Sequence, residues 1–271
     1  MSKQRILQDQ ICDQLIVEQD QHSGWICFND PARHNAVSYE MWQGISLALD
    51  YFSQTAAIKS VVLSGAGDKA FVSGANISQF DTLRTGPEAV QEYERVAEHA
   101  QLALRDFPKP LIAMIQGYCV GGGLNIALSC DIRLASDDSM VSLPAGKLGL
   151  GYRFSAIQNL VRAVGTANAL EIFLTADRYT AQEALAKGLL HKVVARDELV
   201  STVTQYVERI NANAPLTLQA GKKMINALAD RTEQIDLQLM QDLIMQCFNS
   251  DDYREGKLAF AQKRPPQFQG R

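Results

Sequence analysis

The stretch Gly117-Tyr118-Cys119-Val120-Gly121-Gly122-Gly123-Leu124-Asn125 decides the reading of this chain. It follows a strand-like apolar run, Pro110-Leu111-Ile112-Ala113-Met114-Ile115, and leads into a helix-like one, Leu124-Asn125-Ile126-Ala127-Leu128. Glycines at a strand-to-helix turn leave backbone N–H groups bare to a ligand. The start of the following helix adds partial positive charge at the same place. A second glycine turn, Ser73-Gly74-Ala75-Asn76, offers a partner N–H. Two converging donors make an oxyanion hole, which holds an enolate or a tetrahedral intermediate. Either turn alone also has a plainer reading, tight geometry or close packing. No Lys-Ser or Lys-Thr follows the glycines and the spacing is not G-x-G-x-x-G, so neither common nucleotide cradle fits.

Around this turn lies a chain of 271 residues, enough for one large domain or one domain with an appendage. Its 46% hydrophobic and 21% charged residues are ordinary for a globular protein. A net charge of −4 argues against an extended nucleic-acid surface, which needs a basic excess. The five cysteines include no C-x-x-C pair, which fits reduced thiols. The four histidines are scattered without metal-ligand spacing, so no metal is expected. The N-terminus lacks the apolar core of a signal peptide, and no apolar run approaches the ~18 residues of a membrane span. A cytoplasmic protein without a membrane span is expected.

The first half alternates strand and helix signals. Leu15–Val17 and Trp25–Phe28 read as a hairpin about Asp20–Gly24. Ser38 caps a helix running to about Phe52, with Met41, Ile45, Leu49 and Phe52 on one side. Ser60–Ser64 is a buried strand, Glu88–Arg105 a long helix, and Leu111–Gln116 the next strand. Ile132–Ala135 and Met140–Ser142 are short strands. This rhythm implies an α/β core. After about Thr180 the signals turn mostly helical, with Asn213-Ala214-Pro215 as a break. The division expected is a core over residues 1–204 and a helical region over 205–271.

Four segments together resemble the crotonase, or enoyl-CoA hydratase/isomerase, superfamily. They are Asn29 through Val37, Ala70 through Ile77, Gly117 through Ile132, and Asp252 through Arg264. The resemblance implies a ClpP/crotonase-like spiral of ββα units followed by a C-terminal helical trimerisation region. It implies acyl-CoA thioester processing, with coenzyme A as part of the substrate and no separate cofactor. It also implies self-association as a homotrimer or a dimer of trimers. Carried over position by position, the oxyanion donors are the N–H groups of Ala75 and Gly122. Ser73, Asn76, Ile77 and Ser78 flank the pantetheine, and Lys257 and Lys263 reach toward the CoA phosphates.

The sequence departs from that pattern at the chemistry. Hydratases of the family use two glutamates, and the matching positions here are Asn125 and Ala145. Asparagine exchanges hydrogen bonds but does not titrate near neutral pH. General acid–base catalysis contributes about 10²–10⁴-fold, so ordinary hydration needs other groups. Leu148-Gly149-Leu150-Gly151-Tyr152 and the following Ile157–Leu160 resemble a loop of methylmalonyl-CoA decarboxylases, as does Asp252–Gly256. That likeness puts Tyr152 in the active site; the adjoining Arg153 reads as a surface arginine or a helix-start contact, or else as a partner for a substrate carboxylate. Ala75 stands where those enzymes have a histidine. Three readings follow: a hydratase-like lyase, a decarboxylase of a malonyl-type CoA thioester, and a non-catalytic acyl-CoA-binding homologue. Asp131 reads as the anchor of a turn or ion pair, and Lys147, His99 and His34 as structural or solvated residues.

Overall fold

The computed structural model describes residues 3–76, 79, 86–148, 151–229 and 236–271. In chain order the strands are β1 (Gln4–Arg5), β2 (Leu15–Gln19), β3 (Ser23–Phe28), β4 (Ser60–Gly65), β5 (Ala70–Val72), β6 (Leu111–Ile115), β7 (Tyr118–Val120), β8 (Ile132–Ser136), β9 (Met140–Ser142), β10 (Arg178–Thr180) and β11 (Lys192–Val194). The α-helices are α1 (Tyr39–Gln54), α2 (Pro87–Arg105), α3 (Gly122–Leu128), α4 (Phe154–Thr175), α5 (Ala181–Ala186), α6 (Leu199–Asn211), α7 (Pro215–Ala229), α8 (Leu237–Asn249) and α9 (Asp251–Gln262).

Two sheets share the strands. The larger runs β1-β2-β3-β4-β6-β8-β11, and the smaller runs β10-β9-β7-β5. From β3 to β11 every neighbouring pair of the larger sheet is parallel. The chain alternates between the sheets: β4, β6 and β8 lie in the larger one, and β5, β7 and β9 in the smaller, each pair followed by a helix. This is the α/β spiral of ββα units that the resemblance implied. Parallel strands covered on both faces carry near-continuous apolar runs. Val61, Val62 and Leu63 of β4 and Leu111, Ile112 and Ala113 of β6 accordingly have no exposed surface.

Local chemistry sets the elements. Oδ1 of Asp20 accepts from the N–H groups of His22 and Ser23, an Asx turn that closes the β2–β3 hairpin. Oγ of Ser38 accepts from the Met41 N–H and starts α1. Asn35 is fully buried. Its Oδ1 accepts from the Asp30 N–H, and its Nδ2 donates to the Ala66 and Ala70 carbonyls. That one side chain ties the turn before α1 to the turn joining β4 and β5. Asp131 accepts from the Leu111 N–H and pairs with Lys222 of α7, the anchoring role expected of it.

One element differs from the sequence reading. Residues Ile157–Leu160, read as part of a loop, belong to α4, the longest helix of the chain. Its start is hidden because Phe154 stands 72% exposed instead of marking a buried face. Gly165 interrupts it at φ 72°, which weakens the helical period.

His191 extends the pairing of β11 with β8. Its N–H donates to the Arg133 carbonyl, and its Nδ1 accepts from the Arg133 N–H. The ring is exposed on its outer side, but that inward nitrogen must be unprotonated to accept. Partial burial, and next the Arg133 guanidinium, lower its pKa to about 4. The unfolded chain takes up this proton near pH ~6.5. Between those values the unfolded state holds more protons, so stability rises with pH. We therefore expect urea unfolding to show stability falling as pH drops from about 6.5 to 4. His191→Asn, which keeps an acceptor that does not titrate, is expected to flatten that limb.

Candidate active site

The site lies where the two sheets end and α3 begins. Gly121 sits at φ 55°, ψ −114°, a conformation that favours glycine, and turns the chain from β7 into α3. Gly123 lies against β5 so closely that a Cβ would stand 2.1 Å from the Val72 carbonyl oxygen. The contact brings the first turn of α3 beside the Gly74–Ala75 peptide. A Cβ on Gly122 would lie 3.7 Å from the Ala75 nitrogen.

Both nitrogens are free to donate. The intrahelical ladder begins with the Asn125 N–H on the Gly121 carbonyl, so the Gly122 N–H has no partner within the helix. Ala75 forms a parallel bridge with Val37, but that bridge uses the N–H groups of Val37 and Asn76. Among the described residues the Ala75 N–H has no acceptor. Both residues line one cavity of about 170 Å³.

Ser73, Ala75, Gly122, Asn125, Ala145 and Tyr152 all line this cavity. Asn76 is buried beside it and donates its N–H to the Val37 carbonyl. Ile77 and Ser78 lie outside the described residues. Lys257 and Lys263 are exposed on and just after α9 and are not among the lining residues. Lys257 Nζ instead lies 4.6 Å from the centroid of the Tyr253 ring.

The remaining wall comes from residues that the sequence reading did not single out: Trp42 of α1 with Tyr93, Glu94 and Gln101 of α2. Trp42 Nε1 donates to the Tyr93 hydroxyl at 3.3 Å and locks α1 to α2. Glu94 accepts from Arg153 Nε at 2.7 Å, and a second guanidinium nitrogen contacts the same carboxylate oxygen. Arg153 Nε also lies 3.6 Å from Glu98. One guanidinium therefore serves two carboxylates. A sequence signal for this wall existed: Glu94 and Gln101 fall seven residues apart beside the buried stripe of Tyr93, Ala97 and Leu104.

Tyr152 donates its hydroxyl to the Gly121 carbonyl at 3.4 Å. Burial raises its pKa above the ordinary tyrosine value, so it stays a protonated donor. Asn125 is held from below, where Ser129 Oγ donates to its carbonyl and receives Asn159 Nδ2. Its side-chain oxygen is buried without a partner. At the far end of α3 lies a larger cavity of about 550 Å³. Its lining charges are already engaged: Lys222 with Asp131, and Arg133 with the Cys130 and Leu189 carbonyls.

With this geometry in hand, similarity to known proteins is informative. The profile of the Enoyl-CoA hydratase/isomerase family matches residues 19–271. A short-chain-enoyl-CoA hydratase of Clostridium acetobutylicum is 30% identical over 250 residues, covering 92% of this chain and 95% of that protein. A probable enoyl-CoA hydratase of Bacillus subtilis is 33% identical, covering 89% and 93%. The crystal structure of an enoyl-CoA hydratase/carnithine racemase from Magnetospirillum magneticum superposes with a TM-score of 0.91. It is 36% identical over 96% of this chain and 97% of that one.

The close approach at Gly123 generates a prediction. Gly123→Ala forces a carbon against the Val72 carbonyl and is expected to cost at least about 1–3 kcal/mol in urea unfolding. Gly146→Ala, where a Cβ meets nothing within 4 Å, is expected to stay within about 0.5 kcal/mol of the parent.

Proposed function

Since the chain belongs to the enoyl-CoA hydratase/isomerase family, we propose that it is an acyl-CoA enzyme acting as a hydratase-like lyase on a short enoyl thioester. The observation that carries this reading is that Ala75 and Gly122, whose N–H groups are unpaired, are neighbours lining one small cavity. Fixed donors aimed at a thioester oxygen strengthen as negative charge grows there, and they need no reorganisation when the enolate forms. Coenzyme A arrives as part of the substrate, and no separate cofactor enters the scheme. Apolar side chains left on the surface, among them Phe260, Leu174 and Ile225, support self-association of the chain.

Neither Asn125 nor Ala145 can carry a proton. Among the described lining residues Glu94 is the one carboxylate, and we assign proton handling to it. Its pairing with Arg153 fixes its orientation. The decarboxylase reading is less favoured on the same observation. Arg153 is already shared between Glu94 and Glu98, and a substrate carboxylate entering the cavity would meet Glu94. Tyr152, spent on the Gly121 carbonyl, serves as a wall donor that shapes the hole.

The test is a panel of CoA thioesters including crotonyl-CoA and methylmalonyl-CoA, read by mass spectrometry. Gain of water on the enoyl thioester, with methylmalonyl-CoA untouched, is expected. Glu94→Gln is expected to lower kcat by about 10²-fold or more while KM changes little. Loss of carbon dioxide from methylmalonyl-CoA would transfer the assignment to decarboxylation. Binding of every thioester without turnover would make the protein a non-catalytic acyl-CoA binder.

A further inference from the structure

The cavity of about 550 Å³ at the far end of α3 has no part in the thioester reading. The end of α3, strand β8, helix α4 and one face of α7 enclose it. Leu128, Ile132, Ile210, Leu218 and Ile225 supply an apolar wall. Among the described residues four cationic side chains line it, Arg105, Arg133, Arg162 and Lys222, against one carboxylate, Asp131. Lys222 is matched by Asp131, and Arg105 by Asp106 outside the cavity. Arg162 donates to Asn226 Oδ1.

Arg133 stands apart. It is only 6% exposed, and buried charges are ordinarily paired. Its Nε and Nη1 donate to the Leu189 and Cys130 carbonyls at 2.7 and 2.9 Å. Those bonds use two of its five N–H donors and bring no counter-charge. The nearby Asp131 is committed elsewhere, its Oδ2 accepting from both Lys222 Nζ and the Leu111 N–H. Burial lowers the Arg133 pKa, and Asp131 offsets this only in part. The guanidinium nonetheless stays charged. Its Nη2 has no acceptor among the described residues. Nor is that nitrogen sealed away: the described side-chain atoms that are both sealed and unpaired belong to Glu98, Gln101, Asn125 and Ser155. Nη2 therefore keeps accessible surface on a residue that lines the cavity.

We propose that this cavity is a second binding site, for a medium-chain fatty carboxylate, with the carboxylate on Arg133 Nη2 and the tail along the apolar wall. This inference does not depend on the thioester reading of the other chamber. A planar guanidinium matches the geometry of a carboxylate, and the bond between them is charge-assisted. A single negative charge answers the single positive charge of Arg133, whereas a phosphate brings a second one. The apolar wall calls for a tail, because a small hydrated anion would leave that wall wet. The volume lies within the roughly 300–1,000 Å³ of pockets that hold ligands of this size. A cationic ligand would meet four like charges.

The experiment titrates hexanoate, its neutral analogue hexanamide and inorganic phosphate separately into the full chain by calorimetry. Hexanoate is expected to bind about ten-fold tighter than hexanamide or more, equivalent to ~1.4 kcal/mol. Arg133→Met is expected to bring hexanoate down to the level of hexanamide. Because Arg133 also holds two carbonyls, Ile225→Glu is the second variant. Ile225 lines the cavity and is 67% exposed, so the new carboxylate reaches the rim without entering the core. It is expected to weaken hexanoate about five-fold and to leave hexanamide nearly unchanged. Equal binding of hexanoate and hexanamide overturns the proposal, as does an unchanged hexanoate affinity in Ile225→Glu. Phosphate binding as tightly as hexanoate overturns the fatty-carboxylate assignment. Absence of heat with hexanoate overturns the site altogether, and each of these results leaves the thioester reading untouched.

Discussion

The contact between the backbone of α3 and the carbonyl of Val72 is the constraint from which the rest of the site follows. With a Cβ position 2.1 Å from that oxygen, only a bare Cα lets the helix approach so near. The approach sets the first turn of α3 against the Gly74–Ala75 peptide and brings the two unpaired donors to neighbouring residues. Everything behind it keeps this distance short. The parallel bridge of Val37 with Ala75 holds the second donor from outside, and Asn35 holds the turn that carries Val37. The two sheets then act as a frame. β5 and β7 are neighbours in the smaller sheet, so the loops that follow them emerge side by side, and both carry donors.

Electrostatics of the chamber divide along its length. At the hole, the orphan N–H groups and the start of α3 supply partial positive charge without any ion. At the opposite wall, one guanidinium is shared between Glu94 and Glu98, a group of net negative charge facing the same enclosed space. Substrates that bring a second negative charge meet resistance there. On the proposed reading, charge develops at the backbone donors and a proton is exchanged at Glu94.

How much of this was legible in the sequence varies with the kind of interaction. The glycine turn was readable because backbone geometry is local: a strand, three glycines and a helix fix one another within Gly117–Leu128. The Ser38 cap and the β2–β3 hairpin were readable for the same reason. The α2 wall was not, because Glu94 and Gln101 reach the cavity through packing of α2 on α1 and the far placement of Arg153, separated from Glu94 by 59 residues. A polar residue within a buried helical stripe looks from sequence like an imperfection in the pattern. The start of α4 was misread because its first residue is exposed and its interior carries Gly165. Lys257 and Lys263 were placed by resemblance alone, and nothing in this single chain brings them to the cavity.

The family pattern and the departures from it fall on different physical parts of the site. Backbone donors tolerate change in side-chain identity, since Ala75 and Gly122 contribute only their peptide N–H and the space left open around it. Acid–base groups are side chains, and a single substitution removes them. On the proposed reading, such a fold keeps backbone donors for a thioester oxygen while the proton path moves to whichever walls can supply it. In this chain positions 125 and 145 carry side chains that do not titrate. Ala145 and Asn125 both line the chamber, and the Asn125 side-chain oxygen is buried without a partner. The charged and polar groups now stand on α2 and at the start of α4. A helix wall and a cap residue meeting across the cavity can be altered without disturbing the Gly123–Val72 contact on which the hole depends.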